Sequence, residues 1–168
     1  MGFVEPFGHN MIEAFLDESD LHFLRDRDSN FLVEFGYDDE IGGHPRFLLS
    51  VSGDDNEQYS LRGDTLRRVP RADWDRVIRL CNEWNALYKM PKVYFEVEDP
   101  NASATGRVIC EQWLHLESGI HQELINQLTS LFFSSSFGFW RWMERQNAID
   151  NLGAPEKDDP DEEEEDQS

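Results

Sequence analysis

The segment Asn30-Phe31-Leu32-Val33-Glu34-Phe35-Gly36-Tyr37 decides the fold class of this chain. Its large apolar side chains recur at every second position, which is the period of a β-strand with one buried face. Residues 46–51 (RFLLSV) repeat this pattern after a loop rich in Asp and Gly. Two such strands joined by a short connection predict an antiparallel pair.

The regions on either side of this pair supply the other elements. Before it, a helix is predicted to begin after the N-cap Asn10, with an apolar face made of Met11, Ile12, Phe15 and Leu16. After it come a third strand through Tyr59 and Leu61, a helix from Pro70 to Leu87, two strands at 93–97 and 108–116, and a final helix. The predicted fold is therefore α+β: a single antiparallel sheet of about five strands with helices packed on it, in the order α-β-β-β-α-β-β-α.

The last helix contains the most unusual part of the sequence. Ile120, Leu124, Leu128 and Leu131 form an apolar stripe at helical spacing. Ser134-Ser135-Ser136 and Gly138 then lower the helix propensity, so one long helix and two short ones are alternatives. The aromatic residues that follow either complete the core or form an exposed protein-binding patch. That predicted patch consists of Phe133, Phe137, Phe139, Trp140, Trp142 and Met143.

Charge divides the chain into two parts. The 168 residues carry a formal charge of −20, of which residues 156–168 supply −8 and the remainder −12. We predict a single domain over residues 1–152 and a disordered acidic tail over residues 153–168, because the tail repels itself and has almost nothing apolar to bury. The negative balance also argues against nucleic acid and membrane as partners.

The sequence further predicts a cytoplasmic protein. No apolar run approaches the roughly 20 residues of a membrane span, and residues 1–13 lack the pattern of a secretory signal. Cys81 and Cys110 lie in apolar-patterned segments and form no CxxC motif. They are therefore expected to be free, buried and reduced thiols.

Motifs that would carry chemistry do not occur in the sequence. Its five histidines form no HExxH pair, and there is no phosphate-binding glycine loop or nucleophile elbow. Cys110, His115 and His121 come nearest to a metal-binding set, but Cys110 and His115 are predicted on opposite faces of one strand. We therefore predict no catalytic, cofactor-binding or metal-binding residue, and no cofactor.

The order of elements and several local motifs resemble the YbjN family of bacterial sensory transduction regulators. The resemblance spans residues 10–147. Its motifs are the strands at 30–37 and 46–51, the segment Leu66-Arg67-Arg68-Val69-Pro70, the helix end Leu80-Cys81-Asn82-Glu83-Trp84-Asn85 and the strand start Lys92-Val93-Tyr94-Phe95. The resemblance implies an α+β fold similar to type III secretion chaperones, and it implies no established active site.

One main hypothesis and two alternatives follow. The main hypothesis is a non-enzymatic regulatory or chaperone-like module that binds a protein client and, like the chaperones of similar fold, forms a homodimer. The first alternative is an enzyme or ligand-binding domain whose pocket is built from residues distant in sequence, which a cleft with converging polar groups would support. The second is an acidic mimic of nucleic acid.

Overall fold

The computed structural model describes residues 3–146, so the predicted acidic tail lies outside the described residues. The helices in this range are α1 (His9–Glu18), α2 (Trp74–Leu87) and α3 (Gln122–Arg145). A short 3₁₀ turn, Arg71–Asp73, leads into α2. Each helix stands where the sequence predicts one. The domain boundary at residue 152 stays a prediction.

The strands of the described residues form one antiparallel sheet of seven strands. They are β1 (Leu24–Arg25), β2 (Phe31–Glu34), β3 (Arg46–Ser52), β4 (Gln58–Asp64), β5 (Val69–Pro70), β6 (Lys92–Glu96) and β7 (Thr105–His115). Strands β1 to β4 follow one another in space, β7 lies beside β4, and both β5 and β6 pair with β7. The α+β class and the single antiparallel sheet are confirmed. The prediction of about five strands differs from the seven observed, because the two-residue strands β1 and β5 add to five longer ones.

The alternating apolar residues of β2 and β3 face the helices. Phe31 lies opposite Leu49 and Val33 opposite Phe47, and all four side chains are buried. Leu61 continues the same surface on β4. We call this side of the sheet the inner face. The residues between these positions point to the opposite side, the outer face, because neighbours along a strand alternate.

Helix α3 covers the inner face as one continuous helix of 24 residues, so the alternative of two short helices is excluded. Phe133 stacks on Phe47 with 4.0 Å between ring centroids and 12° between ring planes. Thr129 and the Tyr59 hydroxyl share a buried hydrogen bond of 2.9 Å. Packing of this kind, rather than local propensity, stabilises most protein helices, and it explains why the serines do not end α3.

The buried face of α3 differs from the one that the leucine spacing favours. Leu124 and Leu131 are exposed, whereas Ser136, from the run that lowers the helix propensity, is fully buried. The buried positions are Ile125, Thr129, Phe132, Phe133, Ser136, Phe139, Trp140 and Met143. Aromatic rings bury more apolar area than leucines, so the aromatic stripe determines which side of the helix meets the sheet.

Helix α1 packs beside α3, with 6.0 Å between the ring centroids of Phe15 and Phe133. Its predicted apolar face is confirmed, since all four residues of that face are buried. The predicted N-cap is wrong. The helix begins at His9 after an extended Gly8, so Asn10 lies inside the first turn, and no side chain caps the helix.

Asn85, near the end of α2, hydrogen-bonds to the edge of β6 that does not pair with β7. Its side-chain amide donates to the Val93 carbonyl at 2.8 Å, and its side-chain oxygen accepts from the Val93 N–H at 3.0 Å. These are the two backbone groups that a neighbouring strand would otherwise engage. The second asparagine of the Asn82-Glu83-Trp84-Asn85 motif therefore has a structural role.

Arg67 connects three parts of the chain that are distant in sequence. The residue is only 3% exposed. Its Nη1 donates to the Ile41 carbonyl at 3.1 Å and to Glu144 at 2.5 Å. Gly42, in the left-handed region at φ +67°, allows the guanidinium to lie close, because a Cβ there would be 2.7 Å from Nη1. Arg67 thereby joins the loop at 38–44 to the end of α3.

Replacing Asn85 with alanine is expected to lower the free energy of unfolding by about 1–3 kcal/mol, because two hydrogen bonds to Val93 are lost. Asn85→Asp should also destabilise the protein, since a carboxylate cannot donate to the Val93 carbonyl. Urea denaturation followed by circular dichroism measures both changes. Asn82→Ala is the matched control, because Asn82 is an exposed asparagine on the same helix. Equal midpoints for the two alanine variants would contradict the role of Asn85.

Candidate functional site

The six residues predicted as a protein-binding patch lie along α3. Phe133, Phe139, Trp140 and Met143 are buried, and the remaining two, Phe137 and Trp142, are half-buried. The rings pack on the core, as the 5.5 Å between the centroids of Trp140 and Phe47 shows. This burial supports the alternative in which these residues complete the core. Their contact with a partner stays a prediction.

The outer face carries a network of arginines and carboxylates. Arg46 donates to Asp64 from Nε at 2.9 Å and from Nη2 at 3.0 Å. Glu96 accepts from Arg62 at 2.6 Å and from Arg107 at 2.8 Å. Arg107 also lies 3.8 Å from Asp64, which links the two sets of ion pairs. We call these five residues the arginine network. Each of its two carboxylates lies between two arginines.

Strand register brings the arginine network together. Arg46 lies directly opposite Asp64, and Arg107 directly opposite Glu96. Arg62 stands on β4 and reaches Glu96 on β6, so their hydrogen bond crosses β7. Ile109 on β7 points to the outer face, because its neighbours in the strand face the core, yet it is fully buried. The side chains around it therefore cover the middle of the sheet.

A groove runs along this face. Its first part has a volume of 450 Å³ and is lined by Leu32, Arg46, Leu48, Arg62, Asp64, Glu96 and Arg107. Three arginines and two carboxylates give that lining a formal charge of +1, on a chain of −20. A second part of 780 Å³ shares Glu96 and Arg107 and continues past Arg68 and Glu98 to residues 103–106. We call the two parts together the outer groove.

The arginines keep Glu96 ionised. Burial alone would raise the pKa of Glu96, but hydrogen bonds from Arg62 and then Arg107 outweigh burial, and the pKa is lowered. The carboxylate is therefore charged at neutral pH. Its negative charge in turn holds both guanidinium groups over the sheet.

A second cluster extends the charged surface along β6 and β7. Glu111 accepts from Lys92 at 2.5 Å and from the Tyr94 hydroxyl at 2.7 Å. Burial would raise the pKa of Glu111, but these hydrogen bonds lower it overall. Burial, and next the bond to Glu111, raise the pKa of Tyr94 to about 12. Tyr94 therefore acts as a neutral donor at physiological pH.

Residues 3–146 contain neither a metal-binding cluster nor a membrane-spanning helix. Among residues 3–146, His, Cys, Asp and Glu do not gather in threes at distances that would hold a metal ion. Cys110 is buried in the core, whereas His115 is exposed on the strand that both share. Within the described part of the chain, no helix has both the length and the apolar character of a membrane span.

The sequence patterns did not reveal the arginine network. A signal was present, because Arg46, Arg62, Glu96 and Arg107 each lie next to an inner-face residue of a predicted strand. An outward charge on a single strand is ordinary, however. The residues form a cluster only because β4, β7 and β6 are neighbours in space, and the sequence patterns do not give that order.

Fold and site together define a class: a small α+β domain whose single sheet has one helix-covered face and one face that bears charged side chains. A model of the YbjN family matches residues 9–145, and the chain therefore belongs to that family, which is described as "Putative bacterial sensory transduction regulator". The predicted family is thus confirmed, and the regulatory description applies to this chain at the level of the family.

A solved structure has the same fold. It is described as "Crystal structure of YbjN, a putative transcription regulator from E. coli", with a TM-score of 0.69 and 11% sequence identity. The match covers 86% of this chain and 97% of that chain. At this identity the likeness shows the fold alone. No curated protein matches the chain. The resemblance to type III secretion chaperones stays a prediction.

Replacing Glu96 with glutamine is expected to reduce the pH dependence of stability. A carboxyl whose pKa is lowered by folding stabilises the protein above its unfolded pKa of about 4.3, and that contribution is lost as the pH falls through the lowered value. Urea midpoints at pH 7 and pH 3 should therefore differ less in Glu96→Gln than in the wild type. Glu98→Gln, at an exposed position on the same segment, should keep the wild-type difference. Identical pH dependence in Glu96→Gln and wild type would contradict the pairing.

Both cysteines should resist thiol reagents in the native protein. They are free and buried. Burial raises the pKa of Cys81 to about 12 and the pKa of Cys110 well above its ordinary value. Because the thiolate is the reactive form, a colorimetric disulfide reagent at pH 8 should label neither thiol natively and both in guanidinium chloride. Rapid labelling of either thiol in the native protein would contradict its burial.

Proposed function

We propose that this chain is a non-enzymatic regulatory module that binds a protein partner across the outer face of its sheet. The observation that carries the proposal is the asymmetry of the fold. The described helices pack against the inner face, whereas the outer face carries the arginine network and an open groove. The description of the YbjN family as sensory transduction regulators supports a regulatory role.

Binding across the face is favoured over addition of a strand at an edge. At β6, Asn85 already engages the N–H and carbonyl of Val93. At the other end of the sheet, β1 is only two residues long. Neither edge presents the long row of free backbone groups that strand addition requires. A partner is therefore expected to contact side chains of the outer face.

The charge of the molecule favours a protein over a nucleic acid as the partner. Affinity for nucleic acid comes mainly from cations that neutralise many phosphates. The outer groove offers an excess of one positive charge in its first part, on a chain of −20. A role in transcription, which the description of the E. coli protein names, would then be exerted through a protein contact.

A ligand-binding domain is a second candidate. Arg46, Arg62 and Arg107 come from three strands and converge on one groove, which is the arrangement that this hypothesis requires. The open length of the outer groove supports an extended occupant more than a small molecule, which a binding pocket usually encloses over most of its surface.

Four further features stay proposals. Phe137 and Trp142 retain exposed surface on α3 that a partner or a second copy can contact. A homodimer would show in sedimentation at micromolar concentration, and chaperone-like activity would show as suppression of client aggregation. A cytoplasmic location remains the expectation.

Site-directed photo-crosslinking tests the proposed face. Trp113 points outward from β7 and is 52% exposed, and Leu131 on α3 is 51% exposed. A photo-reactive phenylalanine analogue at position 113 should give a discrete adduct in host lysate that excess unmodified protein displaces. The same analogue at position 131 should give none. Adducts of equal yield from both positions, or none from position 113, would contradict binding across the outer face.

A further inference from the structure

We propose that the outer groove binds an extended acidic segment of the partner protein, with a carboxylate of that segment paired to Arg62 and Arg107. This inference rests on the proposed function and specifies the chemistry of the partner. The overall negative charge alone would suggest a basic client, whereas the local charge of the groove suggests an acidic one.

The arginines have donors that the protein does not use. A guanidinium offers five N–H groups. Within the described residues, Arg62 contributes only Nη2 to an ion pair, with Glu96. Arg46 uses Nε and Nη2 on Asp64 and leaves Nη1 without a protein acceptor there. Arg107 engages Glu96 through Nε and Nη2, and its Nη1, at 3.8 Å from Asp64, makes no hydrogen bond to that carboxylate. An incoming carboxylate can therefore be bound without breaking the hydrogen bonds to Asp64 and Glu96.

The surroundings of the three arginines strengthen their attraction for an anion. The side chains of Arg46, Arg62 and Arg107 are about one-third exposed, at 30%, 33% and 32%. Partial burial weakens hydration, so an ion pair formed there gains more than one formed in open water. The arginines are also held in place by Asp64 and Glu96, which lowers the entropy lost when a ligand binds.

The balance of charges favours a carboxylate over a polyanion. The first part of the outer groove has one uncompensated positive charge. In the second part, Arg68 and Arg107 face Glu96 and Glu98, so the charges cancel. A chain of phosphates would meet these carboxylates and be repelled. A peptide can instead place one acidic residue at the arginines and neutral residues beyond.

The shape of the groove favours an extended peptide with apolar residues beside the acid. Leu32 and Leu48 are register partners on β2 and β3 and line the arginine end. Val97 and Ala104 line the other part. Apolar contacts at both ends and charge in the middle match a segment in which one acidic residue is flanked on both sides by apolar residues. This is the chemical class of partner that the geometry supports.

Fluorescence anisotropy with a labelled peptide in which one Glu is flanked on both sides by Leu residues, called the Glu-and-Leu peptide, tests the proposal. The wild type should bind this peptide at least tenfold more tightly than a Lys-and-Leu counterpart, and added salt should weaken the binding. The double variant Arg62→Gln, Arg107→Gln should lose tenfold or more in affinity. Arg141→Gln is the matched control, since Arg141 lies on α3 and pairs with Glu40. Its affinity should equal that of the wild type.

The Glu96→Gln variant should change the peptide affinity in the opposite direction. The amide oxygen that replaces the carboxylate can still accept hydrogen bonds from Arg62 and Arg107, but it no longer neutralises their charge, so the affinity for the Glu-and-Leu peptide should rise several-fold. This result cannot arise from misfolding. The proposal is overturned if this variant and the double arginine variant both bind like the wild type. It is also overturned if inorganic phosphate or a single-stranded oligonucleotide binds more tightly than the peptide, or if free glutarate binds as tightly.

The crosslinking and anisotropy experiments test different claims, so one can fail without the other. Crosslinks from position 113 that persist in the Arg62→Gln, Arg107→Gln variant would keep the outer face as the binding surface but remove the acidic segment as its occupant. Binding of the Glu-and-Leu peptide without any crosslink in lysate would support the groove chemistry while contradicting a protein partner in that lysate.

Discussion

The contact between Phe133 and Phe47 is the one on which the rest of the molecule depends. A stacked pair of this kind contributes about 1 kcal/mol beyond simple burial of the rings. It also fixes how closely α3 approaches the sheet. Gly63 on β4 is needed for this approach, because a Cβ there would lie 2.9 Å from the Phe47 ring and 3.4 Å from Trp140. With one face closed in this way, the opposite face is left to charged side chains.

Arginine residues serve two different purposes in this protein, depending on how deeply they are buried. Arg67 is enclosed and joins distant backbone segments, so its charge contributes to the architecture. Arg62 and Arg107 are only partly enclosed, and they share Glu96 on the surface of the sheet. Removing a partner from an enclosed charge is costly, whereas a partly exposed arginine can exchange partners with little loss. The outer groove is therefore suited to reversible contact.

Alternation at residues 31–37 and 46–51 and the apolar face of α1 were enough to predict the fold class, because each is a local pattern imposed by burial of one face. The buried side of α3 was not predicted, since leucines and aromatic rings offered two stripes and only the shape of the sheet selects between them. The arginine network was missed for a related reason. Arg62 and Glu96 are 34 positions apart, and nothing local encodes that β7 will lie between their strands.

The position of α3 at the end of the described chain bears on how the protein is made. Strands β2 to β4 leave the ribosome well before the helix that covers them, and Arg67 precedes its partner Glu144 by 77 positions. Contacts of such long range slow folding, and uncovered apolar surface is prone to aggregate. The part of the inner face that α3 covers, including Phe47, is thus exposed until α3 is synthesised, and a nascent chain that stalls before α3 is a substrate for general chaperones and proteases.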